Sequence, residues 1–267
     1  MKEKTDSKSR RDRSLPVPTQ AASGVGLPLN PAKHPAPSAA AAENARKAGA
    51  SCVRRLPSYL QLLRILQAEG QENVSGTVLA GVHNLEPVIV RKDLAITGII
   101  GTPRIGFRVN ELIAAIEHFL GWDNQTKAVL VGAGNLGSAL LGYHGFDNFG
   151  LHLIAAFDRD PKKIGQWVHG FKVQSVDQLT GFVRRGHVLL GVLAVPAEAA
   201  QPTAERMIAA GIRGIWNFTP VKLQAPDNVV TQKEDLAEGL ALLSHRMQNL
   251  SRVAPVYNPA ATASGKR

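Results

Sequence analysis

Val129-Leu130-Val131-Gly132-Ala133-Gly134-Asn135-Leu136-Gly137 is the stretch from which the rest of this 267-residue chain is read. An apolar segment, Ala128 to Val131, runs into a G-x-G-x-x-G, which opens into Ser138-Ala139-Leu140-Leu141, good helical continuation. The pattern predicts strand, tight turn, helix. Gly132 permits the turn, Gly134 lets the backbone approach a pyrophosphate, and Gly137 lets helix and strand pack, so the phosphates face the positive end of the helix. A second apolar strand, Leu151 to Phe157, ends in Asp158. That acid stands about 20 residues past the last glycine, where a carboxylate accepts the hydrogen bonds of an adenosine ribose diol. The plain alternative is a glycine-rich turn that only packs. On the dinucleotide reading, Gly132, Ala133, Gly134, Asn135, Leu136, Gly137 and Asp158 are the expected contacts. An acid there repels a 2′-phosphate, so NAD(H) is preferred over NADP(H), with Arg159 next door working against that preference.

Beyond Asp158 the chain alternates as a doubly wound parallel sheet should. Phe171-Lys172-Val173 reads as a short strand, Val176 to Arg185 as helix, His187 to Val195 as a buried strand and Pro196 to Ala210 as helix. Gly214 to Phe218 and Asn228 to Thr231 read as further strands. Ligands sit beyond the carboxyl ends of such strands, so Val195, Pro196, Ala197, Asn217 and Phe218 are expected to wall the nicotinamide half. Residues 125–235 thus make a Rossmann domain. A last helix follows over residues 236–250, apolar at Leu236, Leu240, Leu243, Met247 and Leu250. One side of it needs a partner, either its own sheet or a second chain. Residues 251–267 read as disordered.

Upstream of the dinucleotide strand, Trp122 to Gln125 marks a boundary, and residues 51–124 form a smaller domain. Leu56, Tyr59, Leu60, Leu63 and Leu66 recur at helical spacing up to Gly70. Ser75 caps a short helix, Gly76 to Val82, and Asn84 tolerates a left-handed turn. Pro87 opens the next helix, which runs to about Thr97. This is a helix-turn-helix, whose second helix offers Arg91 and Lys92 to phosphates or bases. Many solvated helices carry such a pair. The apolar pieces on either side of Gly101-Thr102-Pro103-Arg104 predict a hairpin wing with Arg104 at its tip, which favours DNA more than the helix does. Ser75, Pro87, Arg91, Lys92 and Arg104 are therefore the expected DNA-contacting positions. Asn110 is expected to cap the following helix, Glu111 to Leu120, which Gly121 ends.

Net charge is +10, and residues 1–50 hold nine lysines and arginines against four acids, in a tail rich in Ala and Pro that reads as disordered. A basic excess favours polyanions such as DNA. The single cysteine, Cys52, excludes an internal disulfide framework and reads as a small helix residue. Without a long apolar run or an apolar leader, the chain reads as cytoplasmic with no membrane contact. No grouping has metal-ligand spacing. The strand ends facing the nicotinamide offer no His, Lys, Tyr or Cys for proton transfer, and His245 on the last helix is the one plausible histidine. A cofactor site without catalytic residues, joined to a winged helix, points to a sensor and not an enzyme.

Residues from about 54 to 247 resemble the Rex family of redox-sensing transcriptional repressors. The resemblance is carried by Arg55-Leu56-x-x-Tyr59-Leu60, Val90-Arg91-Lys92-Asp93-Leu94, Gly132 to Gly137, Ala156-Phe157-Asp158, Val195-Pro196-Ala197, Asn217-Phe218-Thr219-Pro220 and Asp235-Leu236. It implies a homodimer of winged-helix and Rossmann domains that binds a palindromic operator in double-stranded DNA. It also implies that NADH, in balance with NAD+, weakens DNA binding, and that the last helix is exchanged between subunits. The chain departs from the family pattern at Gln61, at Asn84-Leu85-Glu86-Pro87 and at the wing, where Phe107 replaces a tyrosine. An NAD-dependent oxidoreductase, and a nucleotide- or CoA-binding relative without DNA function, are the rival readings.

Overall fold

The computed structural model describes residues 49–253. The tail assigned to residues 1–50 lies outside them except at its end, where helix α1 (Ala50–Ala68) has begun. The same holds for residues 251–267, except that the last helix runs on to Val253 and not to Leu250. Helix replaces the expected disorder at both margins.

In the smaller domain α1 is followed by β1 (Asn73–Val74), α2 (Gly76–Val82), α3 (Pro87–Ala95), β2 (Phe107–Arg108) and α4 (Val109–Leu120). Leu56, Tyr59, Leu60 and Leu63 of α1 pack with Leu79, Val90, Leu94, Leu112 and Ile116 in one core, the result of apolar positions three and four apart on each helix. Ser75 caps α2, its hydroxyl accepting from the Val78 amide at 3.2 Å, and Asn84 takes the left-handed turn at φ 51°. Gly121 ends α4 with a left-handed backbone. Asn110 is not the cap expected of it. The helix starts two residues earlier, at Val109, whose amide donates to the Glu72 carbonyl, and the Asn110 side chain accepts instead from Gln67 of α1.

The wing also differs from its sequence reading. Only Thr102 and Gly106 bridge each other, with Arg104 at the tip in a left-handed conformation, φ 65°. The second arm, β2, pairs antiparallel with β1 before the helix-turn-helix and not with Ile99-Ile100. Gly106, at φ 98°, permits this pairing: a Cβ there would overlap the Val74 carbonyl.

The larger domain is a seven-stranded sheet in the order β5-β6-β4-β3-β7-β8-β9, with β3 (Thr126–Val131) central. The others are β4 (Leu151–Asp158), β5 (Trp167–Val168), β6 (Phe171–Ser175), β7 (Leu190–Leu193), β8 (Gly214–Asn217) and β9 (Val230–Lys233). Helices α5 (Asn135–Leu141), α6 (Leu179–Gly186) and α7 (Ala197–Ala210) cover its faces, and α8 (Leu236–Val253) ends the described chain. Successive residues of β3 point to opposite faces. Val129 and Val131 join Phe157, Val183 and Met207 on one side, while Ala128 and Leu130 join Ala156, Leu141 and Phe146 on the other. Six strands run parallel, as expected; β5, unforeseen in the sequence, is an antiparallel addition to β6. The strand expected from His187 is shorter, because His187 is the left-handed residue closing α6. Pro196 precedes α7, and β9 starts at Val230 instead of Asn228.

Candidate functional site

Chain order places β4 on one side of β3 and β7 on the other, so a crevice opens at their carboxyl ends. A cleft of about 880 Å³ occupies that crevice, within the size range of small-molecule sites. Two glycines of the turn beside it are dictated by the protein itself. A Cβ on Gly132 (φ 105°) would overlap the Ala194 carbonyl, and one on Gly137 would overlap the Gly132 carbonyl, so turn and helix close onto the strand only without side chains. Gly134 differs: nothing lies within 4 Å of its Cβ position, and it faces the cleft. Packing does not require this glycine, whereas a group lying against the backbone would.

Asp158, at the tip of β4, is buried. Its Oδ2 accepts from the Ala133 amide at 2.8 Å and from Lys163 Nζ at 3.2 Å, and its Oδ1 accepts from the Asp160 amide at 2.9 Å. Burial pushes this carboxyl up. The Asp160 amide, Lys163 and the Ala133 amide outweigh that push and hold it below the ordinary carboxylate range, so Asp158 stays ionised.

Of the expected cofactor contacts, Gly132, Gly134, Asp158, Val195 and Pro196 line the cleft, and Ala133 joins them through its bond to Asp158. Asn135 and Leu136 are exposed on the first turn of α5, and Gly137 is buried behind it. Ala197, Asn217 and Phe218 are not among the lining residues. Asn217 is spent on its own turn: its amide donates to the Val221 carbonyl at 2.8 Å, and its Oδ1 accepts from the Thr219 amide and hydroxyl at 2.9 and 2.8 Å. Phe218 packs against Trp216 with ring centres 4.8 Å apart. His245 lies on α8 beside Asn249, away from the cleft lining.

Lys163, Ser175, Asp177 and Arg206 also line the cleft, and the sequence reading missed them. Arg206 of α7 reaches Asp177 at 2.8 Å, and Arg159 faces Glu198 at 3.9 Å. Lys163, in the turn that follows Asp158, carried a short-range signal. The other three come from distant segments joined only by the sheet. Among the described residues no group of three His, Cys, Asp or Glu could hold a metal, and no helix is long and apolar enough to cross a membrane.

A second candidate surface lies on the small domain. Pro87 opens α3, Arg91 and Lys92 are exposed on it, and Arg91 Nε donates back to the Pro87 carbonyl at 3.3 Å. The opposite side is anchored through Asp93, which accepts from Arg55 at 2.6 and 2.7 Å and from the Tyr59 hydroxyl at 2.7 Å. Burial alone would raise the Asp93 carboxyl. The bonds from Arg55 and Tyr59 pull it below its ordinary range, and burial together with Asp93 pushes the Tyr59 hydroxyl up. Burial likewise pushes the Cys52 thiol up to about 12, so this cysteine stays a protonated packing residue. Arg64 of α1 bonds both Glu117 of α4 and the Asn148 carbonyl beside the sheet, at 2.9 and 3.0 Å, and so joins the two domains.

Comparisons with known proteins match both halves. Residues 50–95 match the family described as putative DNA-binding protein N-terminus, and residues 123–221 the family described as CoA binding domain. The chain is 49% identical over 198 residues to the redox-sensing transcriptional repressor Rex of Treponema denticola, covering 74% of this chain and 94% of that protein. It is 42% identical over 197 residues to Rex of Rhodopirellula baltica, covering 74% and 83%. The crystal structure of RSP in complex with β-NAD+ and operator DNA aligns with a TM-score of 0.71 at 31% identity, over 76% of this chain and 94% of that one. RSP with β-NADH aligns with a TM-score of 0.70 at 31% identity, over 76% and 96%.

Proposed function

The chain belongs to the Rex family of redox-sensing transcriptional repressors, and we infer that the cleft beside Asp158 seats its dinucleotide while the outward face of α3 seats its DNA. The protein is a DNA-binding repressor that follows the NADH/NAD+ balance. The observation that carries the site assignment is the pairing of a buried Asp158, held by two amides and Lys163, with a glycine, Gly134, whose open Cβ position nothing in the protein explains.

Asp158 would accept from the adenosine ribose, the Gly132–Gly137 turn would take the pyrophosphate at the start of α5, and Val195 and Pro196 would wall the cleft. Asn135, Leu136 and Gly137 shape that turn, and Ala197, Asn217 and Phe218 support the neighbouring strand ends. The bound dinucleotide supplies a ring that is cationic when oxidised and neutral when reduced. Ala194, Val195 and Pro196 present no proton donor to it, which fits a regulator better than an oxidoreductase. Arg91, Lys92 and Arg104 would meet DNA, with Ser75 and Pro87 setting the ends of the two helices. Such a repressor works where the genome is, in the cytoplasm. A palindromic operator calls for a two-fold dimer. Exposed Leu240 and Leu243 on α8 fit a helix that docks on, or is exchanged with, a second copy.

Anisotropy of a labelled operator duplex with NAD+ or NADH added is the test. Release by NADH and retention with NAD+ is the expected result. Equal retention with both would overturn the sensing role. Arg91→Ala and Lys92→Ala should weaken DNA binding and flatten its salt dependence while leaving NADH affinity intact.

A further inference from the structure

Val88 is the second residue of α3 and stands 51% exposed. The residues three, four and seven positions on, Arg91, Lys92 and Ala95, are exposed as well, while Val90, Asp93 and Leu94 are buried. Those spacings put Val88, Arg91, Lys92 and Ala95 on one helix face. That face turns outward because the Asp93 carboxylate ties the opposite side to Arg55 and Tyr59 of α1. An exposed valine does nothing for the helix, since a β-branched side chain is a poorer helix former than alanine. It lies at the amino-terminal end of the second helix of a helix-turn-helix, the part that reaches base edges in the major groove.

The Val88 side chain has no donor and no acceptor. Among the features of the major groove, the thymine C5-methyl is the one an apolar side chain reads. Two cations one turn away suit the phosphates on either side of such a contact, and they disfavour an apolar protein surface as the occupant. Resting on the reading of α3 as the DNA-contacting helix, we propose that Val88 reads a thymine methyl in each half of the operator. It is thereby a specificity-determining residue, and Arg91 and Lys92 supply affinity. The β-branched side chain has few rotamers, so little freedom is lost when the two apolar groups meet.

The test starts from a duplex that the full-length protein itself selects from a randomised library. Each thymine of that duplex is then replaced, one at a time, by deoxyuridine, which removes only the methyl. For the unaltered protein, one replacement in each half-site should weaken binding about four-fold, the worth of one buried methyl group. Val88→Ala should be insensitive to that same replacement while keeping the same salt dependence, because phosphate contacts are untouched. Val88→Ile, which keeps the apolar contact, should retain the penalty. Neither variant should melt below the unaltered protein, as expected for an exposed position where alanine is the better helix former. If Val88→Ala shows the same deoxyuridine penalty at every thymine, or no replacement affects the unaltered protein, the proposal is overturned and the repressor reading stands. A protein that selects no duplex at all overturns both.

Discussion

Arg55 of the first helix holds Asp93 of α3 at two points, Nε to Oδ2 at 2.6 Å and Nη2 to Oδ1 at 2.7 Å. The arginine side chain is 30% exposed and the carboxylate 3%. This geometry makes the orientation of α3 depend on one ion pair rather than on apolar packing alone. A planar guanidinium matches both carboxylate oxygens, which an ammonium does not.

Arg55→Ala should therefore strand a buried carboxylate on the helix proposed to meet DNA. Removing one partner of a buried pair costs roughly 3–5 kcal/mol, and the partial exposure of Arg55 places the expected loss near the low end. Thermal or urea unfolding will measure it. A variant as stable as the parent would show that packing alone positions α3. Arg55→Lys should recover only part of the loss.

The same pair makes the small domain sensitive to acid. The Asp93 carboxyl lies below its ordinary value of 3.8 in the folded protein. A depressed carboxyl contributes its stability above that ordinary value and loses it as pH falls towards the folded value. Stability should thus drop below about pH 4 more steeply than in Asp93→Asn, which lacks this titration. Parallel acid curves for the two proteins would contradict the expectation.

Discrimination between NADH and NADPH should be set by Asp158 and Lys163 together. Asp158→Ala should narrow the difference in affinity by about 1–3 kcal/mol, the worth of a hydrogen bond to a charged group. Lys163→Met should widen it, since Lys163 Nζ, 3.2 Å from the carboxylate, is a cation placed to offset repulsion of a 2′-phosphate. Titration calorimetry with both dinucleotides decides this, and a Lys163→Met protein with an unchanged ratio would remove Lys163 from specificity.

Helix α8 should be the dimer contact. Leu240 and Leu243 are 63% and 55% exposed, and burying each against a partner contributes ~1.5–3 kcal/mol. Leu240→Glu combined with Leu243→Glu should yield a monomer on sedimentation and lose operator affinity. A double variant that stays dimeric would place the contact elsewhere.

Much of this architecture was legible because it is written in local pattern. The G-x-G-x-x-G after an apolar run, with an acid at the end of the next strand, announced β3, α5 and β4. Residue spacings of three and four announced α1, while Ser75, Asn84, Pro87 and Gly121 marked ends that the structure bears out. Such signals are local, each needing only a few neighbouring residues.

What the chain by itself determined is therefore the succession of elements, the winged helix before the sheet, and the acid and glycines of the G-x-G-x-x-G turn. Tertiary structure alone decided which further groups share the cleft. Ser175, Asp177 and Arg206 come from β6, the turn beyond it and α7, and they meet Asp158 only because parallel strands bring their carboxyl ends to one edge. It also decided between competing partners. Asn217 could have faced a ligand but bonds Val221 and Thr219, and the wing's second arm could have paired with Ile99-Ile100 but pairs with β1. Those outcomes depend on which donor, acceptor or strand edge lies nearest once the chain has packed, a matter of distance in space that order along the chain does not contain.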